Sequence, residues 1–305
     1  MSEFMNNAYC AGEVREVRLQ DLGDRVKERC QVNIRTDDGF VNVQLNNPKR
    51  ADKNYAEELF DRLRKGDFIQ VWGTLEEFFY NDEYRRNITP FVSADNGWGN
   101  SIQIRDADEV DEDSKANARI AGDVLDITES YEGDERILDF EILYYNTYNP
   151  EGDEDRSRKE VLLDGIDNFG QYAKSRDDFD VDLSELKDLM QALKDTDEGD
   201  VKGIANIYRT LMEKFDPLMF NVNTYHITAK GDMADEMEEV SLHDNITVGC
   251  YLKNNTIIDE FGFSEGSENL IEVGKFKGIN EREIDAVDTD EEGVPEDLGE
   301  EDSDW

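Results

Sequence analysis

The chain has 305 residues, enough for two domains with separate cores, and its 75 acidic against 33 basic side chains give a net charge of −42. No stretch reaches the roughly 18 uncharged apolar residues of a spanning helix, and the N-terminus lacks the regions of a signal peptide. These features exclude a membrane protein and predict a cytoplasmic one. Cys10, Cys30 and Cys250 are odd in number and widely spaced, which fits reduced thiols better than a disulfide framework.

The first segment is predicted to contain five strands and one helix. Alternating patterns mark strands over 9–19, 29–36, 40–46, 68–79 and 87–93, with Asp37-Asp38-Gly39 as a hairpin turn. Tyr55, Leu59 and Leu63 recur at helical spacing and predict a helix over 54–65. Three strands, a helix and two strands is the order of the five-stranded oligonucleotide-binding barrel, the OB-fold. We therefore predict an OB-fold domain at 1–105, followed by an acidic linker at 106–116.

The second segment begins with an echo of the first. Residues 119–127 share the pattern Ala-Gly-acid-Val-x-acid-aliphatic with residues 9–17, which indicates a duplicated β domain. Strands are predicted over 119–128, 136–145, 159–165, 220–230 and 245–253, with 257–263 and 270–276 as further candidates. Two apolar stripes predict a helical insertion at about 182–215. The predicted fold class is mainly β, with tandem OB-fold-like five-stranded barrels, the second enlarged and covering 117–284.

The last 21 residues, 285–305, contain eleven Asp or Glu and no Lys or Arg, and they finish on Trp305. Self-repulsion and scattered apolar residues prevent a core, so we predict a disordered acidic tail. Charge would steer the tail onto basic grooves while Trp305 fills a pocket. The predicted partner-docking residues are Glu300, Glu301, Asp302, Asp304 and Trp305. The alternative is an ordinary solubilising terminus.

One segment resembles a known family. Lys65-Gly66-Asp67 with the strand that follows to Leu75, then a polar hairpin and Tyr84-Arg85-Arg86-Asn87-Ile88-Thr89, is similar to a segment of single-stranded-DNA-binding proteins. With the tail, the layout resembles phage-encoded and bacterial members, although this chain ends in Ser-Asp-Trp where the usual tail ends in Pro-Phe. The resemblance implies a protein, in the host cytoplasm if phage-encoded, that coats single-stranded DNA during replication or recombination. Its tail would recruit replication and recombination proteins, and a homo-oligomer is left open.

Strand alternation assigns the binding surface. Ile69, Val71 and Leu75 should face the barrel interior, which turns Trp72 and Phe78 outward. Aromatic planes stack bases, amides bond base edges and guanidinium binds phosphate, as single-strand recognition requires. The predicted nucleic-acid-binding residues are Arg35, Phe40, Asn42, Gln44, Lys49, Arg50, Lys53, Trp72, Phe78, Tyr80, Tyr84, Arg85 and Arg86. Alternatively, Trp72 packs under a loop or against the second domain, and Arg85 and Arg86 are solvated loop charge.

Catalytic motifs are scarce. His226 and His243 have no Cys at ligand spacing, and phosphate-binding and dinucleotide-binding glycine loops are missing. We therefore predict no enzyme activity, no catalytic residue, no metal and no cofactor, and a two-metal nuclease is disfavoured. The rival hypothesis is an acidic DNA mimic that occupies a partner's DNA groove, because residues 106–305 carry a net charge of −39 while residues 1–105 carry −3.

Overall fold

The computed structural model describes residues 4–21, 28–47, 51–80, 83–93, 95–105, 114–148, 155–174, 183–215, 222–258 and 264–280. The fold is mainly β. The first half contains β1 (Met5–Gln20), β2 (Arg29–Thr36), β3 (Gly39–Asn46), α1 (Tyr55–Arg62), β4 (Phe68–Tyr80), β5 (Glu83–Pro90) and β6 (Ile102–Arg105). The second half contains β7 (Lys115–Glu132), β8 (Glu135–Tyr145), α2 (Arg158–Lys174), α3 (Leu183–Asp195), α4 (Val201–Lys214), β9 (Val222–Lys230), α5 (Asp232–Glu236), β10 (Asn245–Ile258) and β11 (Ser264–Ile279).

Strand pairing closes on itself twice. In the first ring, β1 pairs with β2 and β4, β2 pairs with β3, and a parallel β3–β5 pair and an antiparallel β4–β5 pair complete the circuit. In the second ring, the strands that take the places of β1, β2, β3, β5 and β4 are β7, β8, β9, β11 and β10, in that order. This ring again contains one parallel pair, β9–β11. β6 adds to the edge of β4. The antiparallel β1–β7 pair joins the two rings into one sheet.

The repeated sequence pattern occupies the same position in both rings. A Cβ on Gly12 would lie 2.1 Å from the carbonyl oxygen of Arg35, and a Cβ on Gly122 would lie 2.2 Å from that of Leu143. A β-bulge follows each glycine in its strand. Glycine therefore allows the neighbouring strand to approach where the strand bends, which explains why both copies keep it.

Two hydrophobic clusters form the core. The first runs through the interiors of both rings and includes Val43, Ile69 and Val248. The second lies where α2, α3 and α4 cover the second ring, around Tyr145 and Tyr208. The three free cysteines are buried, and burial raises the pKa of each thiol, to about 12 for Cys30 and Cys250. Such thiols are poor nucleophiles.

Several predicted elements differ from the structure. The predicted strand at 159–165 is wrong, because these residues begin α2. Val161, Leu162, Ile166 and Phe169 are buried at helical spacing, and the short apolar run mimics a strand when it is considered without its continuation. The helical insertion therefore starts earlier than predicted. The strand predicted over 87–93 is β5, which begins at Glu83 and ends at Pro90. The candidate strand at 257–263 contributes its first two residues to β10, and 259–263 lie outside the described residues.

Within the described ranges, no helix combines the length and the apolar character that a bilayer crossing needs.

Candidate nucleic-acid interface

The first ring turns one outer side of β2 and β3 towards solvent. Arg35 lies opposite Phe40 across the hairpin, and both are exposed, Phe40 to 49%. Two residues along each strand, Asn33 lies opposite Asn42, and its Nδ2 donates a hydrogen bond to Oδ1 of Asn42 at 3.0 Å. A cation and an aromatic ring therefore sit beside a pair of amides.

The amide pair extends across the ring. Asn42 is in register with Asn87 of β5, and Asn87 is in register with Glu76 of β4. Nδ2 of the buried Asn87 donates to Oε1 of Gln44 at 3.1 Å, which fixes its orientation. We call the three amides Asn33, Asn42 and Asn87, together with the carboxylate of Glu76 at their end, the amide row. Asn87 is buried, so the accessible amides of the row are those of Asn33 and Asn42. The amide row connects the β2–β3 hairpin with the β4–β5 hairpin.

The β4–β5 hairpin carries a second cation and aromatic pair. Phe78 lies opposite Arg85, two residues beyond Glu76 and Asn87. Arg85 is exposed and Phe78 is half-buried. β3 and β5 run parallel, and Phe40 and Arg85 each precede the amide row by two residues, so the two pairs lie on the same side of the row, one at each end. We call the two pairs together with the amide row the first-ring face.

Two residues expected on this surface are not accessible. The predicted exposure of Gln44 is wrong, because its side chain is buried and bonded to Asn87. The predicted exposure of Arg86 is also wrong: its side chain is 10% exposed and its Nε donates to Oε2 of the buried Glu77. Oε1 of Glu77 accepts the backbone N–H of His226 at 2.9 Å and lies 2.7 Å from its Nδ1. Arg86 therefore belongs to a polar contact between the rings.

Trp72 lies on the outer side of β4, like Glu76 and Phe78, but nearer the start of the strand. Its ring contacts Tyr9 of β1, with 5.1 Å between ring centroids and an interplanar angle of 48°. Tyr9 is in register with Asn117 of β7, and Asn117 with Tyr251 of β10. The structure therefore places Trp72 on a face shared by both rings, apart from Arg35 and Phe40.

The structure describes only some of the other predicted binding residues. Lys53 is exposed just before α1. Tyr80 and Tyr84 belong to the paired backbone of β4 and β5, but their side chains are outside the described residues. Outside them as well are Lys49, Arg50, Glu300, Glu301, Asp302, Asp304 and Trp305.

The second ring carries acidic side chains at the corresponding strands. On β8 and β9, Glu141 lies opposite His226, and Asp139 lies opposite Thr228, whose Oγ1 donates to Oδ1 of Asp139 at 2.6 Å. Burial raises the pKa of Glu141, against a smaller lowering by His226. In the described part of the second ring, the carboxylates of Asp139 and Glu141 would repel phosphate, whereas the arginines of the first-ring face attract it.

A cleft that no sequence pattern predicts lies beside β4. Its volume is about 620 Å³, and its walls include Asn7, Thr74 and Glu76 from the first ring and Tyr144 and Asn223 from the second. Phe91 and Tyr148 also line it and are 51% and 69% exposed. These residues are distant in sequence, so no local pattern marks the site. Among the described residues, no group of three His, Cys, Asp or Glu could hold a metal ion.

Comparisons give similar structures but no family. No family model matches the chain, and no curated protein matches it. The wild-type single-stranded DNA binding protein from Thermus aquaticus is similar at 11% identity and a TM-score of 0.48, over 92% of this chain and 94% of that chain. A deletion mutant of that protein gives 12% identity and 0.48, over 92% and 98%. A replication protein A heterotrimer bound to single-stranded DNA gives 9% identity and 0.20, over 92% and 95%. At these values a function has to rest on the site itself.

Proposed function

We propose that the chain binds single-stranded DNA on the first-ring face. The observation that carries this proposal is the position of two cross-strand Arg–Phe pairs, Arg35 opposite Phe40 and Arg85 opposite Phe78, at the two ends of the amide row. Guanidinium groups neutralise phosphates, aromatic rings stack on bases of any identity, and amides bond base edges. A duplex would not present its stacked bases to these rings.

The proposed strand continues along the outer side of β4, from Phe78 past Glu76 and Thr74 towards Trp72. We propose that each ring is an OB-type barrel and that the rings correspond to the predicted domains 1–105 and 117–284. Of the predicted linker 106–116, Lys115 and Ala116 belong to β7 and pair with β1, so they are part of the second ring. The role is binding rather than catalysis. It suits a protein that coats exposed strands during replication or recombination, with a tail that recruits partner proteins.

Reversing both arginines of the face tests the proposal. Each phosphate contact contributes about 0.7 to the slope of log affinity against log salt for single strands, so Arg35→Glu with Arg85→Glu should flatten the slope by about 1.4. The measurement is fluorescence anisotropy with labelled oligo-dT over a salt series. The control pair Arg18→Glu with Arg62→Glu changes the net charge equally at exposed positions elsewhere. Equal slopes in the two variants would contradict the proposed face.

Removing residues 285–305 should raise the affinity for oligo-dT, most at low salt. Eleven tethered carboxylates compete with DNA at an effective concentration of about a millimolar, and salt screens them. Trp305→Ala keeps that charge, so it should leave DNA affinity unchanged while it weakens binding of replication partners. An affinity that truncation leaves unchanged at both low and high salt would reject the competitor role.

The carboxylates Asp139 and Glu141 on β8 favour a second candidate, a DNA mimic. Such a protein would not bind oligo-dT, and it would instead displace DNA from another DNA-binding protein. Titrations of the full chain with oligo-dT, RNA and duplex DNA at low salt separate the two functions, because only the first predicts direct binding.

A further inference from the structure

The cleft beside β4 borders the first-ring face. Glu76 belongs to both, since it ends the amide row and lines the cleft. Thr74 is the next outward residue of β4, and Asn7 of β1 continues the same wall. Tyr144 and Asn223 of the second ring form the opposite side. A strand that follows the outer side of β4 would therefore pass the mouth of this cleft.

The lining suits a flat, neutral ligand that forms hydrogen bonds. Phe91, Tyr144 and Tyr148 supply aromatic rings, and Asn7 and Asn223 supply amides that both donate and accept. Among the described lining residues there is no Lys or Arg, so a phosphate gains nothing by entering. The volume of about 620 Å³ is within the roughly 300–1,000 Å³ that is usual for small-ligand sites. A nucleobase meets these requirements, with its phosphates left outside.

Glu76 gives the cleft a preference among bases. Its side chain is half-buried, and it forms no hydrogen bond or ion pair with any residue that the structure describes. An ionised carboxylate only accepts hydrogen bonds, and it pairs well with the N4 amino group of cytosine. Thymine and uracil present a carbonyl oxygen at that position, and two acceptors repel each other.

We infer that the cleft is a nucleobase pocket that selects bases with an exocyclic amino group over thymine and uracil. This inference rests on the proposed function, because the strand has to reach the pocket along β4. Glu76 makes the selection, and Phe91 and Tyr148 stack on the base.

Paired oligonucleotides of equal length test the pocket. Oligo-dC and oligo-dU have the same ring size and lack the 5-methyl group, so their bases differ only on one edge, in the group at position 4 and in the proton on N3. Anisotropy titrations of the full chain should show oligo-dC bound about fivefold or more tighter. Glu76→Gln should reduce that ratio to about twofold or less, because an amide can donate to the uracil oxygen. Glu132→Gln, which removes an exposed carboxylate far along β7, should leave the ratio unchanged.

The outcomes separate the two proposals. If both oligonucleotides bind equally, or if Glu76→Gln keeps the preference of the unchanged chain, the pocket is refuted and the proposed function stands. If neither oligonucleotide binds, the proposed function is refuted and the pocket with it. Tyr148→Ala removes an exposed aromatic wall and keeps the carboxylate, so it should weaken oligo-dC binding about fivefold or more. An unchanged affinity in that variant would also refute the pocket.

Discussion

Replacing Glu77 with alanine should lower the free energy of unfolding by about 3–5 kcal/mol, because it leaves a buried guanidinium without its counter-charge. The carboxylate of Glu77 is 1% exposed and binds both Arg86 and His226. Three groups on two other strands therefore lose a partner together: the Arg86 guanidinium on β5, and the backbone N–H and imidazole of His226 on β9. Urea denaturation followed by circular dichroism measures the change.

Two variants make this prediction specific. Glu76→Ala, at the adjacent half-buried position without a partner among the described residues, should change stability by about 0.5 kcal/mol or less. Replacing Glu77 and Arg86 together with leucine should recover most of the loss, because neither charge is then left buried alone. A Glu77→Ala protein that unfolds at the same urea concentration as the unchanged chain would show that the contact between the rings contributes little.

Phe40→Ala should weaken oligo-dT binding by about 1–3 kcal/mol, or about 5- to 150-fold in Kd, because it removes a stacking platform. The ring is 49% exposed, so the fold should survive its loss. Phe60→Ala is a matched control, since Phe60 is an exposed phenylalanine on α1, away from the first-ring face. Anisotropy titrations at constant salt compare the three proteins, and equal affinities would place base stacking elsewhere.

Local patterns predicted the strands that pair with their sequence neighbours. β2 has the predicted bounds, and β3 and β4 differ from theirs by one residue, because the alternation of buried and exposed side chains is visible within each strand. The same alternation predicted that Arg35 and Phe40 face outward, and the structure places them together. The local pattern did not predict α2, because the first turns of this helix resemble a short buried strand.

Alternation indicates the side of a strand but not what covers that side. Gln44 has the outward parity of Asn42, yet it is buried because Asn87 lies against it from another strand. Arg86 is predicted to be an exposed binding residue, but its side chain is held by the carboxylate of Glu77, which also binds His226, 149 positions farther along the chain than Glu77. Contacts between residues so far apart in sequence depend on how the two rings pack together. They cannot be predicted from the sequence of either segment alone.

The β1–β7 pair connects the two halves directly, in addition to the acidic segment between the rings. Seven residue pairs from Met5 with Ala121 to Ala11 with Lys115 bind the two halves through backbone hydrogen bonds. The contacts of Glu77 with His226 and of the Asn254 N–H with the Asp38 carbonyl hold them at two further points. Covalent continuity through residues 106–113 is therefore not what keeps the halves associated. We expect the two halves to stay together when that segment is changed in charge, and to be affected together by a substitution that disturbs β1.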